Sequence, residues 1–157
     1  MSAEVAGTDR IEKRIVLRAP RARVWRALVN AEEFGSWFGV DFRGASFAPG
    51  ATVTGRITYP GYEHLTMEIV IYRMEPERQF SFRWHPNAVD PTLDYSKEPT
   101  TLVVFELQDA AEGTLLSVVE SGFDRIPLQR RAEAWRMNDQ GWAEQVSRID
   151  AYVTRTK

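Results

Sequence analysis

The C-terminal end of the chain constrains the fold most. From Leu128 to Val153 the apolar residues Leu128, Ala132, Trp135, Trp142, Val146, Ile149 and Val153 recur at threes, fours and sevens. That spacing lines side chains along one face of a helix. The helix opens near Pro127 and runs towards Thr154, roughly 28 residues and about 40 Å long. Arg130, Arg131, Glu133, Glu144 and Arg148 fall largely on the face left for water. Gly141 costs a helix interior about 1 kcal/mol relative to Ala, so its place beside Trp142 predicts a close approach or a bend.

The segments ahead of that helix read as strands. Ile11, Ile15 and Leu17 with β-branched neighbours suggest a first strand. Pro20 suits the start of a short helix to Val29, on which Val24, Trp25 and Leu28 share a face. Asn30 is placed to cap a second helical turn, Ala31 to Phe34, with Glu32 and Glu33 at its positive end and Trp37-Phe38-Gly39 closing it. Val53–Tyr59, Leu65–Met74 and Gln79–His85 follow, separated by turn signals at Pro60-Gly61 and Pro76-Glu77-Arg78. A polar loop from Pro86 to Thr100 precedes a hairpin of Thr101–Leu107 and Thr114–Phe123. Phe80, Phe82 and Trp84 alternate with Ser81 and Arg83. Val103, Phe105 and Leu107 alternate with Val104 and Glu106. Such period-2 patterns mark a sheet with one covered face.

One antiparallel sheet and one long helix leave a single solution: the helix lies in the palm of the sheet. A curved sheet gripping one helix closes poorly at its ends, and the residual gap is an aromatic and aliphatic pocket of the kind small molecules occupy. The chain is α+β. Residues 1–9 read as a flexible tail and 10–157 as one domain.

Several function classes are excluded by composition. Twenty Lys and Arg against 22 Asp and Glu give a net charge of −2 with the signs interleaved, which is no footprint for nucleic acid. There is no cysteine, hence no disulfide, thiolate metal site or cysteine nucleophile. The start MSAEVAGTDR has no apolar leader, and no apolar run approaches the ~20 residues of a membrane span. A cytoplasmic protein is expected.

The stretch APRARVWRAL, then SWFG, Pro76 before a strand ending in Trp84, GTLLSVVESGF and GWAEQVSRIDAY resemble, in order and spacing, one family. It is the activator-of-heat-shock-protein-90-ATPase-like branch of the START/birch-allergen-like (SRPBCC) superfamily, and the resemblance runs from about Asp9 to Tyr152. It implies a helix-grip fold with a deep hydrophobic cavity between helix and sheet, and no shared catalytic set. The eukaryotic co-chaperones of that branch carry an additional N-terminal domain for which 157 residues leave no room, so chaperone activation is not the first expectation.

Candidate cavity residues are Trp37, Phe38, Met67, Ile69, Phe80, Phe82, Trp84, Val103, Phe105, Leu116, Val118, Glu120, Trp135, Trp142 and Val146. In this fold, cavity wall and core are the same surface, so each aromatic has both readings. Glu120 shares the inward face with Leu116 and Val118. A carboxyl there is desolvated and suits a proton donor or ligand anchor, unless an arginine pairs with it. His64, His85, Asp94 and Tyr95 read as rim or loop residues, and neither histidine has ligand partners at metal spacing. No cofactor is expected. The leading reading is a carrier or sensor of a lipid-, sterol- or polyketide-like molecule, monomeric or weakly dimeric. A co-chaperone or stress-response interaction module is the second and predicts an exposed apolar patch. A cyclase, dehydratase or hydrolase is the third, and needs polar groups such as Glu120, His64, Tyr59 and Tyr95 to converge.

Overall fold

The computed structural model describes residues 9–90 and 92–155. Strand β1 (Arg10–Leu17) leads into helices α1 (Arg21–Val29) and α2 (Ala31–Phe38). Strands β2 (Val40–Asp41), β3 (Thr52–Ile57), β4 (Thr66–Glu75), β5 (Gln79–Trp84), β6 (Thr101–Ala110) and β7 (Gly113–Ser121) follow. A 3-10 turn at Phe123–Arg125 precedes α3 (Leu128–Arg155). The strands form one antiparallel sheet in the order β1-β7-β6-β5-β4-β3-β2, so the meander is closed by the first strand docking on the last.

Alternation decides which face each strand buries. Along β4, Met67, Ile69 and Ile71 point inward. Along β6 and β7, Val103, Phe105 and Leu107 meet Leu116, Val118 and Glu120 across the ladder. Ser81, expected to face water, is instead buried. It sits opposite Arg73 and two residues from Arg83, where a bulge in β4 leaves Tyr72 out of the ladder.

The helices begin and end for local reasons. The Asn30 side chain accepts from the Glu33 amide at 3.0 Å and caps α2. The helix continues a turn beyond Phe34, through Trp37 and Phe38, before Gly39 stops it at φ 102°, a left-handed conformation suited to glycine. Trp37 Nε1 donates to the Ala27 carbonyl at 2.9 Å and ties α2 to α1. In α3, Ala134, Trp142, Ile149 and Val153 are buried and Trp135 and Val146 partly so. Leu128 and Ala132 leave the expected stripe. Leu128 is 75% exposed. Nothing lies near Gly141 where a Cβ would stand, so neither crowding nor contact explains that glycine.

The core between sheet and helices is largely aromatic. Phe34 of α2 lies 4.9 Å from Trp37 and from Phe38, and it also meets Phe42, Phe47, Phe80 and Phe82. Trp142 from α3 closes on Phe105 at 5.7 Å and on Trp84 at 5.8 Å. Residues 1–8 of the expected tail lie outside the described residues. Asp9 is anchored rather than loose: its carboxylate accepts from the backbone amides of Gly122 and Asp124 at 3.3 and 3.1 Å.

Gly35 shows how tightly α2 sits on β2. A methyl there runs into the Val40 carbonyl oxygen. Gly35→Ala is expected to lower unfolding stability by about 1–3 kcal/mol, although alanine is the better helix former. Urea denaturation decides: a neutral or stabilised variant means that β2 does not press on this face.

Candidate functional site

The inward face of β7 ends in a carboxylate. Glu120 is wholly buried, paired across the ladder with Val103 on one side and Ile11 on the other. Four side chains from three directions donate to it. Trp84 at the end of β5 gives its indole N–H to Oε2 at 2.7 Å, and Thr101 at the start of β6 gives its hydroxyl to the same oxygen at 2.6 Å. From α3, Trp142 donates to Oε1 at 2.7 Å, and Asn138 bridges both oxygens at 2.9 and 3.1 Å. Asn138 and Trp142 are four residues apart, one helical turn, which aims both at one point.

Among the described residues no arginine pairs with Glu120, contrary to the pairing that the sequence left open; all four donors are neutral. Burial pushes its carboxyl above the ordinary 4.5, while hydrogen bonds from Thr101, Trp142, Trp84 and Asn138 pull the other way. Both indoles only donate, so each carboxyl oxygen must accept. The node therefore joins sheet to helix by hydrogen bonds from neutral donors.

A groove lies beside this node, sharing Trp84 and Asn138 with it. Its volume is about 330 Å³, and it runs between the start of β4 (Thr66, Met67, Glu68), the end of β5 (Trp84, His85) and α3 (Met137, Asn138). Phe38, Ile57, Tyr62 and Leu65 complete one wall; Asn87, Ala88, Val89 and Tyr95 of the long loop complete the other. Beside it lies a smaller annex of about 80 Å³ between Phe38, Trp84, Asn138, Gly141, Trp142 and Gln145. Phe38, Trp84 and Asn138 belong to both.

Phe38, Met67 and Trp84 of the sequence candidates line the groove, and Trp142 lines the annex. Glu120 stands behind Trp84, Asn138 and Trp142, which it orients. Ile69, Phe80, Phe82, Val103, Phe105, Leu116 and Val118 are packed in the core, as is Trp37, while Trp135 and Val146 pack at its margin. The expected deep interior volume is occupied by rings. Phe34, Phe42 and Phe47, fully or nearly buried and absent from the candidate set, supply much of that filling. Tyr95 and His85 reach the groove. Asp94 caps the Ser96 amide, His64 is exposed in a turn, and Tyr59 donates to Glu144 at 3.0 Å outside the groove. Glu120, His64, Tyr59 and Tyr95 thus do not converge.

Arg130 was not visible as a site residue. Expected on the solvent face of α3, its side chain is only 15% exposed. It pairs with Glu98 at 2.8 Å, reaches the Asn87 carbonyl at 3.4 Å and lies 4.7 Å over the Tyr95 ring. His85 adds a contact from Nε2 to the Glu98 carbonyl at 3.1 Å. Together they hold the loop wall of the groove against α3. A signal existed in sequence only as Glu98 and Tyr95 inside an otherwise polar loop.

A family model described as "Activator of Hsp90 ATPase homolog 1-like protein" matches residues 18–154. Among solved structures, the protein MLL2253 from Mesorhizobium loti superposes with a TM-score of 0.71 at 23% identity, covering 94% of this chain and 98% of its own. The protein NE0264 from Nitrosomonas europaea gives 0.72 at 17% identity, covering 97% and 98%. DynU16, from the dynemicin biosynthetic locus, gives 0.69 at 24% identity over 95% of this chain and 48% of that longer one. At these identities the likeness is one of fold. No curated protein matches the sequence. No helix among the described residues is long and apolar enough to cross a membrane.

Glu120→Gln keeps the volume but presents an amide N–H2 where an acceptor stood, so one indole N–H faces another donor. The expected cost is about 1–3 kcal/mol at neutral pH. A carboxyl raised in the folded state holds an extra proton between 4.5 and its folded value, so the wild type loses stability as pH rises through that window. Glutamine has no such proton. The stability gap between the two proteins should therefore be widest in acid and narrow as pH rises. Urea unfolding of both proteins from about pH 4 to about pH 8 reads this directly; a gap flat across that range means Glu120 titrates as it does unfolded.

Proposed function

The chain belongs to the activator of Hsp90 ATPase homolog 1-like family, and on that premise we propose that it binds an apolar small molecule in the groove between β4, β5, α3 and the long loop. The supporting observation is the groove itself. Its volume of about 330 Å³ lies at the low end of small-molecule sites. Its floor is Phe38, Ile57, Leu65, Met67 and Trp84, and it has a few polar groups at its edge. The family commonly binds hydrophobic ligands, which agrees with this reading. A carrier or sensor needs no converging acid and base, and Glu120 is occupied in orienting wall residues rather than facing the groove.

Energetics favour the groove as the binding volume over the packed interior. A ligand covering the exposed parts of Met67, Phe38 and Trp84 gains about 25 cal/mol for each Å² of apolar surface removed from water. Entering among Phe80, Phe105 and Val118 would first require displacing a close-packed core.

Two substitutions separate these volumes. Leu65→Trp, at the groove wall and half-buried, is expected to block binding of an apolar aromatic probe with little loss of stability. Val118→Trp, at 1% exposure in the core, is expected to destabilise by about 1–3 kcal/mol or more. Amide NMR titrations with a fatty acid, a sterol and a two-ring aromatic measure the first. Saturable shifts at β4, at the loop and at Met137 support the site, whereas the absence of shifts with all three probes overturns it.

A further inference from the structure

We infer that the loop between β5 and β6 is a self-braced flap at the groove, that Arg130 latches it to α3, and that release of this latch controls ligand entry and exit. This rests on the reading of the groove as a small-molecule site and adds how that site is opened.

The loop holds its own shape. Across its described residues, 86–90 and 92–100, the Val89 amide donates to the Asn87 carbonyl at 3.0 Å, and the Leu93 amide to the Asp90 carbonyl at 3.1 Å. The Glu98 amide donates to the Tyr95 carbonyl at 2.9 Å. The Tyr95 hydroxyl accepts from the Asp90 amide at 3.1 Å and so joins the two halves of the loop. Asp90 accepts from the amide and the hydroxyl of Thr92, and Asp94 from the Ser96 amide. Short polar side chains of this kind close local turns. His85 closes the neck, with Nε2 on the Glu98 carbonyl at 3.1 Å.

Attachment to α3 is thin by comparison. Val89 and Leu93 are exposed, so they bury little apolar surface against the body of the protein. Among the described residues, the hydrogen bonds and the ion pair that link this loop to α3 all belong to Arg130. Its guanidinium pairs with Glu98 at 2.8 Å, donates to the Asn87 carbonyl at 3.4 Å and lies 4.7 Å from the centre of the Tyr95 ring. One side chain thus grips the loop near its start, its middle and its end. Asn87, Ala88, Val89 and Tyr95 form the loop wall of the groove, and Met137 stands two helical turns beyond Arg130 on the opposite wall. Parting one guanidinium from its partners frees the whole loop wall, while the hydrogen bonds within the loop keep it intact. The pair suits that role. Its side chains are 15% and 22% exposed, which makes it stronger than a surface ion pair and still lets water reach both charges when they separate.

Stopped-flow binding of N-phenyl-1-naphthylamine, a neutral apolar probe, to the wild type and to Arg130→Met tests the latch. Methionine keeps an unbranched stem and good helix propensity but offers neither charge nor donor. Association and release are both expected to quicken by on the order of tenfold, the worth of one hydrogen bond to a charged group. Amide exchange at Leu93 and Glu98 should stay as slow as in the wild type. Glu98→Gln removes the charge from the loop side and should move both rates the same way by a smaller factor. It decides the matter if urea titration finds Arg130→Met unfolded. Unchanged rates in the folded variant overturn the latch. Faster rates accompanied by faster exchange at Leu93 and Glu98 mean that the loop unravels, which overturns the flap. A wild type that does not bind the probe overturns the groove reading itself.

Discussion

Glu120 carries the connection between the two halves of this structure. A sheet and a helix held only by apolar contact can slide along one another, because the hydrophobic effect is non-directional. A buried carboxylate cannot slide. It needs its donors at hydrogen-bond distance, and here two come from the sheet and two from α3. Any lost donor leaves a buried carboxyl oxygen without its partner. The penalty of burial, visible in the raised carboxyl, thus accompanies a gain in specificity, a fixed register of helix on sheet. That register sets where Phe38, Trp84, Asn138 and Trp142 stand, and these four build the annex.

The aromatic packing determines where open volume remains. Phe34, Phe42 and Phe47 enter the palm from α2 and the segment after it; Phe34 and Phe47 meet Phe80, Phe34 meets Phe82, Phe42 meets Phe47, and Phe80 stacks in turn on Phe105. Rings at such separations leave little room between them. The groove opens instead where β4 begins, β5 ends and the chain departs into its long loop. There the loop wall is held by Arg130 together with His85. Arg130 holds the loop through Glu98, Asn87 and Tyr95 at once, so the groove keeps its shape without extra secondary structure.

Family membership and geometry speak to different levels. The matched family and the solved relatives establish the helix-grip architecture, and many functions can share an architecture. What distinguishes this chain lies in a handful of side chains: apolar residues along the groove and a carboxyl group held behind Trp84, Asn138 and Trp142.

Much of the architecture was legible in the sequence. Period-2 alternation in 79–84, 101–107 and 114–120 and the stripe from Trp135 to Val153 place strands and helix, because local periodicity reflects which face is buried. The inward face of Glu120 followed from the same alternation. Its partners did not: Trp84, Thr101, Asn138 and Trp142 are distant in sequence, and only the fold brings them to one carboxylate. Likewise, counting aromatic residues could not tell a filled palm from a lined cavity, since volume is decided by how rings from different elements interlock. Arg130 looked like a solvated charge because helical spacing knows nothing of a loop folding over it. Sequence by itself determined the order of the elements and their buried faces. Tertiary structure alone decided which polar groups meet and where space is left, since both depend on contacts between residues far apart along the chain.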